Sequence, residues 1–156
     1  MNETIDHANV VIQPPLGWAI AFVAGAGADW LYPLRFVPGI VPHAWVGVGV
    51  FAVGFALAIW AFVIIRKGGT PVQATKPTTA IVANGPYRIT RNPIYIGMFL
   101  GQFGLAIGFN TLWLLATLVP FYLVIRYGVV AREEAYLQRK FGSVYLDYTS
   151  RVRRWM

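Results

Sequence analysis

The chain has 156 residues, 57% of them apolar and 12% charged, with a formal net charge of +7. A soluble domain carries about twice that charged fraction. Composition therefore points to one small membrane domain over residues 1–156, and the basic residues, set beside hydrophobic runs, read as topology and headgroup signals rather than a nucleic-acid surface. With no cysteine, a disulfide framework, a thiolate metal site and a cysteine nucleophile are all excluded.

Residues 1–15 carry Glu3 and Asp6 but no Lys or Arg before the first apolar run, so no cleavable signal peptide is expected. A bilayer core about 30 Å thick takes roughly 20 mostly apolar residues per helix. The first candidate span, 16–34, is interrupted by Asp29 and holds Gly25 and Gly27. The second, 44–65, has no charge and ends at Arg66 and Lys67. The third and fourth, 94–109 and 111–130, are separated by Asn110 alone, which predicts an antiparallel helical hairpin. The expected fold class is thus all-α: a polytopic membrane protein of about four transmembrane helices.

The third helix carries Gly97, Gly101, Gly104 and Gly108 on one face. Small residues so spaced let another backbone approach closely. Packing against the second or fourth helix, or room for a cofactor, would each use that face. Pro120 lacks a backbone donor and clashes with the preceding turn, so it predicts a kink in the fourth helix. Beyond Val130 an amphipathic helix runs to a stop at Gly142. Phe141, Tyr145, Tyr148, Val152 and Trp155 then form an apolar stripe in a basic tail, which lies on the membrane or folds over the loop between spans two and three.

Arg66, Lys67, Lys76, Arg88 and Arg91 precede the third span, while Arg126, Arg132, Arg139, Lys140, Arg151, Arg153 and Arg154 gather at the chain's C-terminal end. Two spans separate the groups, so they share a side, and the positive-inside rule makes it the cytoplasmic side of the plasma (inner) membrane. If 16–34 spans, the N-terminus is cytoplasmic as well.

Both polar groups converge on the mouth of the hairpin: Tyr87, Arg88, Arg91, Asn92 and Tyr95 from the loop, Arg126, Arg132, Glu133 and Glu134 from the fourth helix. Carboxylates beside arginines at a bilayer boundary are costly unless paired or used. An interfacial charge network and a binding site both account for them. His7 and His43 fall on opposite sides of the membrane, which leaves no histidine metal cluster and no histidine triad. Nor is there a dinucleotide fingerprint or a phosphate loop.

Taken together, these residues resemble the integral membrane methyltransferases that include isoprenylcysteine carboxyl methyltransferase and the phospholipid methyltransferases. The matching features are Ile81-Val82, Gly85-Pro86-Tyr87, Arg91-Asn92-Pro93-Ile94-Tyr95-Ile96-Gly97, the hairpin, Arg132-Glu133-Glu134-Ala135-Tyr136-Leu137, Phe141-Gly142, and Tyr145 with Tyr148. They cover residues 76–156. The resemblance implies a donor, S-adenosylmethionine (product S-adenosylhomocysteine), held between the hairpin's cytoplasmic end and the C-terminal segment, and a lipid-like or apolar acceptor entering from the bilayer. It implies that Thr79, Ile81 and Val82 line the adenosyl pocket, that Tyr87 and Tyr95 supply aromatic walls, and that Gly85, Arg91, Asn92, Pro93 and Glu134 complete the cofactor-binding set. Arg91, Glu133 and Glu134 are the implied catalytic residues. Asn92 stands where better-known members have histidine, so it can hydrogen-bond but not relay a proton.

An isoprenylcysteine-like carboxylate acceptor needs no strong base. A phospholipid amine would have to lose a proton, for which Glu133 or Glu134 is the local candidate. A small four-helix transporter using Asp29 as coupling site, and a non-catalytic scaffold, are the readings from other classes.

Overall fold

The computed structural model describes residues 6–73 and 76–155. Helix α1, Pro14–Leu31, opens on prolines, whose fixed φ suits a first turn that needs no N–H. Helix α2, His43–Lys67, ends with Arg66 and Lys67 in its last turn, where cations favour the helix dipole. Helix α3, Pro93–Gly108, again starts on a proline. Beyond its end the chain turns at Asn110, whose φ of 49° is a left-handed conformation that asparagine tolerates.

The fourth helical path runs continuously from Leu112 to Phe141. It comprises α4 (Leu112–Ala116), α5 (Leu118–Leu123), a π-helical stretch (Val124–Val130) and α6 (Ala131–Phe141). The helix is interrupted at Thr117, three residues before the expected kink at Pro120. Buried Gln102 caps this break, its Nε2 donating to Leu114 O (3.2 Å) and Thr117 Oγ1 (2.9 Å). Gly142, with φ 52°, then turns the chain into α7, Ser143–Arg151.

Two helices, His43–Lys67 and Leu112–Phe141, are long and apolar enough to cross a bilayer. The expected third and first spans fall short of that measure. Pro93 and the Asn110 turn limit α3 to 16 residues, or about 24 Å, while Asp29, two prolines and three glycines dilute α1. Helix α2 leaves Val46, Val53, Phe55, Ile59 and Phe62 exposed, an apolar surface suited to lipid.

The glycine face of α3 is used for packing, and its partner is α2. A Cβ placed on Gly97 would lie 2.6 Å from Gly54 O, one on Gly54 2.7 Å from Gly101 N, and one on Gly104 2.5 Å from Phe51 N. At these three positions there is no room for a side chain, so no cofactor space opens between the helices. Helix α1 packs on α4, where a Cβ on Gly25 would meet Leu114 at 2.8 Å.

Opposite ends of the bundle are closed by different devices. At one end Asn110 Oδ1 accepts from Phe36 N (2.9 Å) and Val37 N (2.7 Å). Arg35 there binds Asp29 (3.1 Å) and the carbonyls of Phe109 and Asn110 (3.2 Å each). Asp29 is therefore a partner in a terminal latch. At the other end the segment before α1 is pinned to the fourth helix, Val11 N donating to Gly128 O (3.0 Å) and Arg132 to Asn9 O (2.7 Å).

Candidate functional site

The loop from α2 to α3 is shaped by a 3-10 turn, Gly85–Arg88, entered through Gly85 at φ 56°. Its backbone is clamped by the C-terminal segment. Arg91 N donates to Arg153 O (3.0 Å), Thr90 Oγ1 and Asn92 Nδ2 both donate to Arg154 O (3.1 and 2.9 Å), and Tyr148 OH donates to Tyr87 O (2.8 Å). Tyr145, Tyr148 and Val152 pack with Ile81, Leu137 and Phe141. Of the two courses open to the tail, it folds over the loop.

Between loop, tail and α6 lies a cleft of about 920 Å³, its open mouth included. The interior alone is about 140 Å³, smaller than the roughly 300–1,000 Å³ usual for small-molecule sites, so a ligand of that size would extend into the open mouth. Ile81, Val82, Tyr87, Arg91, Asn92, Pro93, Tyr95, Glu133 and Glu134 all line it. Thr79 and Gly85 do not. Thr79 braces the loop from behind, its Oγ1 donating to Gly69 O and its N to Thr70 Oγ1 (2.8 Å each), and Gly85 faces Ile64. Arg126 and Arg132 also stand outside, the first donating to Tyr122 OH (2.7 Å), the second holding Asn9.

One wall and one supporting residue escaped sequence reasoning. Ala8, 2% exposed, closes one side. It is brought there from the far N-terminus by Asp6, which pairs with Lys140 (2.7 Å) and accepts from Tyr136 OH (3.1 Å). Arg154, one of three arginines in a short tail, lies behind the cleft on Glu134. No local pattern separates either residue from its neighbours.

Adjacent glutamates occupy unlike environments. Glu134 is held by Arg91 Nη1 (3.1 Å) and by Arg154 through Nε (3.0 Å) and Nη2 (2.5 Å). Glu133 has neither arginine. Tyr95 OH donates to its two oxygens at 2.9 and 3.0 Å. It stands in α6, beyond the apolar part of the fourth helix, and burial lifts its carboxyl from 4.5 to about 7; the Tyr95 hydrogen bond opposes the rise and the Glu134 charge adds to it. Burial also raises the phenols of Tyr87 and Tyr148, so both stay protonated.

The buried Nε of Arg91 makes no hydrogen bond among the described residues. Two guanidiniums facing one carboxylate leave a net positive charge at one wall. Apolar Ala80, Ile81 and Val82 line the cleft as well. Such a combination can hold an anionic group on a partly apolar ligand.

A family model of phospholipid methyltransferases matches residues 42–144, well over half of the chain. The chain belongs to the phospholipid methyltransferase family. This family member is accordingly a membrane protein of methyltransferase descent, and the matched stretch contains α2, α3 and both glutamates. An uncharacterized protein of Haemophilus influenzae is similar to it, 51% identical over 51 residues, or 30% of this chain and 81% of the relative. Ala8 and Arg154 lie outside the family match. The phospholipid methyltransferase core is thus completed by residues at either end of the chain.

Proposed function

We propose that the protein transfers a methyl group from S-adenosylmethionine to a lipid-like or apolar acceptor at the cytoplasmic face of the plasma (inner) membrane. One observation carries the proposal: a cleft in the family-matched region sets the unpartnered Nε of Arg91, and a net positive charge, beside an apolar wall. When bound, S-adenosylmethionine supplies a methyl group on an already activated sulfonium. The chain's tasks are then alignment and exclusion of water. Arg91 would hold the donor's carboxylate. Ile81, Val82 and Ala80 would wall its adenine, with Thr79 and Gly85 keeping that wall in place from behind. Pro93 fixes the first turn of α3 beneath Arg91. Asn92 has its amide committed to Arg154 O, which suits a position that secures the loop and moves no proton.

Four spans with the N-terminus in the cytoplasm are part of this proposal. Supporting it, the residues flanking α1 meet Gly128 at one end (Val11) and Asn110 at the other (Arg35), so α1 runs alongside the apolar part of the fourth helix.

A phospholipid-type amine is favoured over an isoprenylcysteine-like carboxylate by Glu133. A carboxylate without a guanidinium partner repels an anionic acceptor. With its proton lost at about pH 7, it can instead accept the one that an ammonium must release before attack.

Calorimetry of S-adenosylhomocysteine against the detergent-purified protein tests the donor site. Binding by the wild type, lost in Arg91→Ala, is the expected result; well-folded wild type that binds nothing would overturn the proposal in favour of a scaffold.

A further inference from the structure

Arg154 touches none of the cleft, yet it grips Glu134 through two nitrogens, Nε at 3.0 Å and Nη2 at 2.5 Å. Arg91 reaches the same carboxylate through Nη1 alone, at 3.1 Å. The backbone of Arg154 is fixed too, because its carbonyl accepts from Thr90 and Asn92, the residues on either side of Arg91. One end of Arg154 is thus tied to the loop that presents Arg91 and the other to Glu134 in α6.

The three charges do not cancel. Glu134 satisfies one guanidinium and leaves the other in excess, while Arg91 keeps its buried Nε without a partner. We infer that Arg154 is a positioning residue for anion recognition: by engaging Glu134 it leaves Arg91 available to the carboxylate of a cleft-bound ligand. This rests on the donor site proposed above and adds a component from the C-terminal tail. Without Arg154, Glu134 has only Arg91 to pair with, and the charge at the wall falls to zero. Removing Glu134 as well restores it.

The test is calorimetry on the full-length, detergent-purified protein with two probes: S-adenosylhomocysteine, and 5′-methylthioadenosine, which keeps the adenosine but has no carboxylate. In Arg154→Gln, binding of S-adenosylhomocysteine should weaken about tenfold while 5′-methylthioadenosine changes by less than about twofold, since only the first presents an anion to the pair. Arg154→Lys should recover part of the loss. The double variant Glu134→Gln/Arg154→Gln should bind S-adenosylhomocysteine more tightly than Arg154→Gln alone. A merely structural tail residue would weaken both probes together and gain nothing from the second substitution; either result overturns the inference, as does unchanged binding in Arg154→Gln. Wild-type protein that binds neither probe overturns the donor site itself.

Discussion

Glu133 and Glu134 are neighbours in sequence and differ in everything that governs a carboxylate. One is neutralised by two guanidiniums; the other is half-buried with a tyrosine for company. If Glu133 accepts the proton of an amine, turnover should rise as pH passes through about 7, where it ionises. Initial rates with a radiolabelled methyl donor in buffered detergent would show that acid limb. Glu133→Gln should abolish the limb and slow turnover by about 10²–10⁴-fold. Tyr95→Phe should move it to higher pH, because the lost hydrogen bond stabilised the charged form. Stability has its own sign. The folded carboxyl titrates above its unfolded value, so the folded state loses stability as pH rises from 4.5 to about 7. Glu133→Gln should therefore unfold at a higher temperature than wild type at pH 8, and the gap should narrow toward pH 5. Arg91 and both glutamates were legible as candidates from their placement around the hairpin. The division of labour was not, since it depends on Tyr95 and Arg154, which approach the pair from 38 and 20 residues away in sequence.

At the level of elements, glycine spacing announced a close helix contact but could not name the partner. The answer lies in α2, whose Gly47 and Gly54 face the α3 glycines across touching backbones. Gly104→Leu should destabilise the protein by about 1–3 kcal/mol, the usual range for overpacking. Gly101→Ala should be tolerated, because its Cβ would meet only the Phe51 ring, at 3.8 Å. Thermal unfolding of the two variants in one detergent checks the contrast. A weak point near Pro120 was equally readable, whereas the polar group that satisfies the break at Thr117, Gln102, sits in the preceding helix and carries no sequence mark of that role. Helix limits were legible to within a few residues. Whether α1 and α3 cross a bilayer was harder, because hydropathy counts composition and misses how a short helix is extended by the turns and loops at its ends.

The whole molecule separates a closed end, built on Asn110 and Arg35, from a cleft-bearing end. With no native cysteine, single cysteines report which side each end occupies. Ile40→Cys, at a residue 93% exposed, and Arg139→Cys should react with an impermeant maleimide from opposite faces of sealed vesicles; labelling from one face would refute the four-span arrangement. Segments from both termini meet at the cleft, Ala8 from one and Tyr145 and Tyr148, backed by Arg154 on Glu134, from the other. Such long-range closure is what a linear reading misses, since hydrophobic period and motif spacing report only neighbours along the chain.

The π-helical stretch Val124–Val130 acts on this closure as a phase setting. A wider turn accommodates a residue that an α-helix would not, and each residue of an α-helix advances the direction of its side chains by about 100°. Relaxing the stretch to α-helix at unchanged length would leave the apolar span upstream intact yet rotate Glu133 and Glu134 away from the cleft, whereas deleting one residue as it relaxes would keep their direction. The aim of both carboxylates therefore depends on the match between chain length and turn width, and a protein shortened by that single residue should still enter the membrane and still bind its ligand.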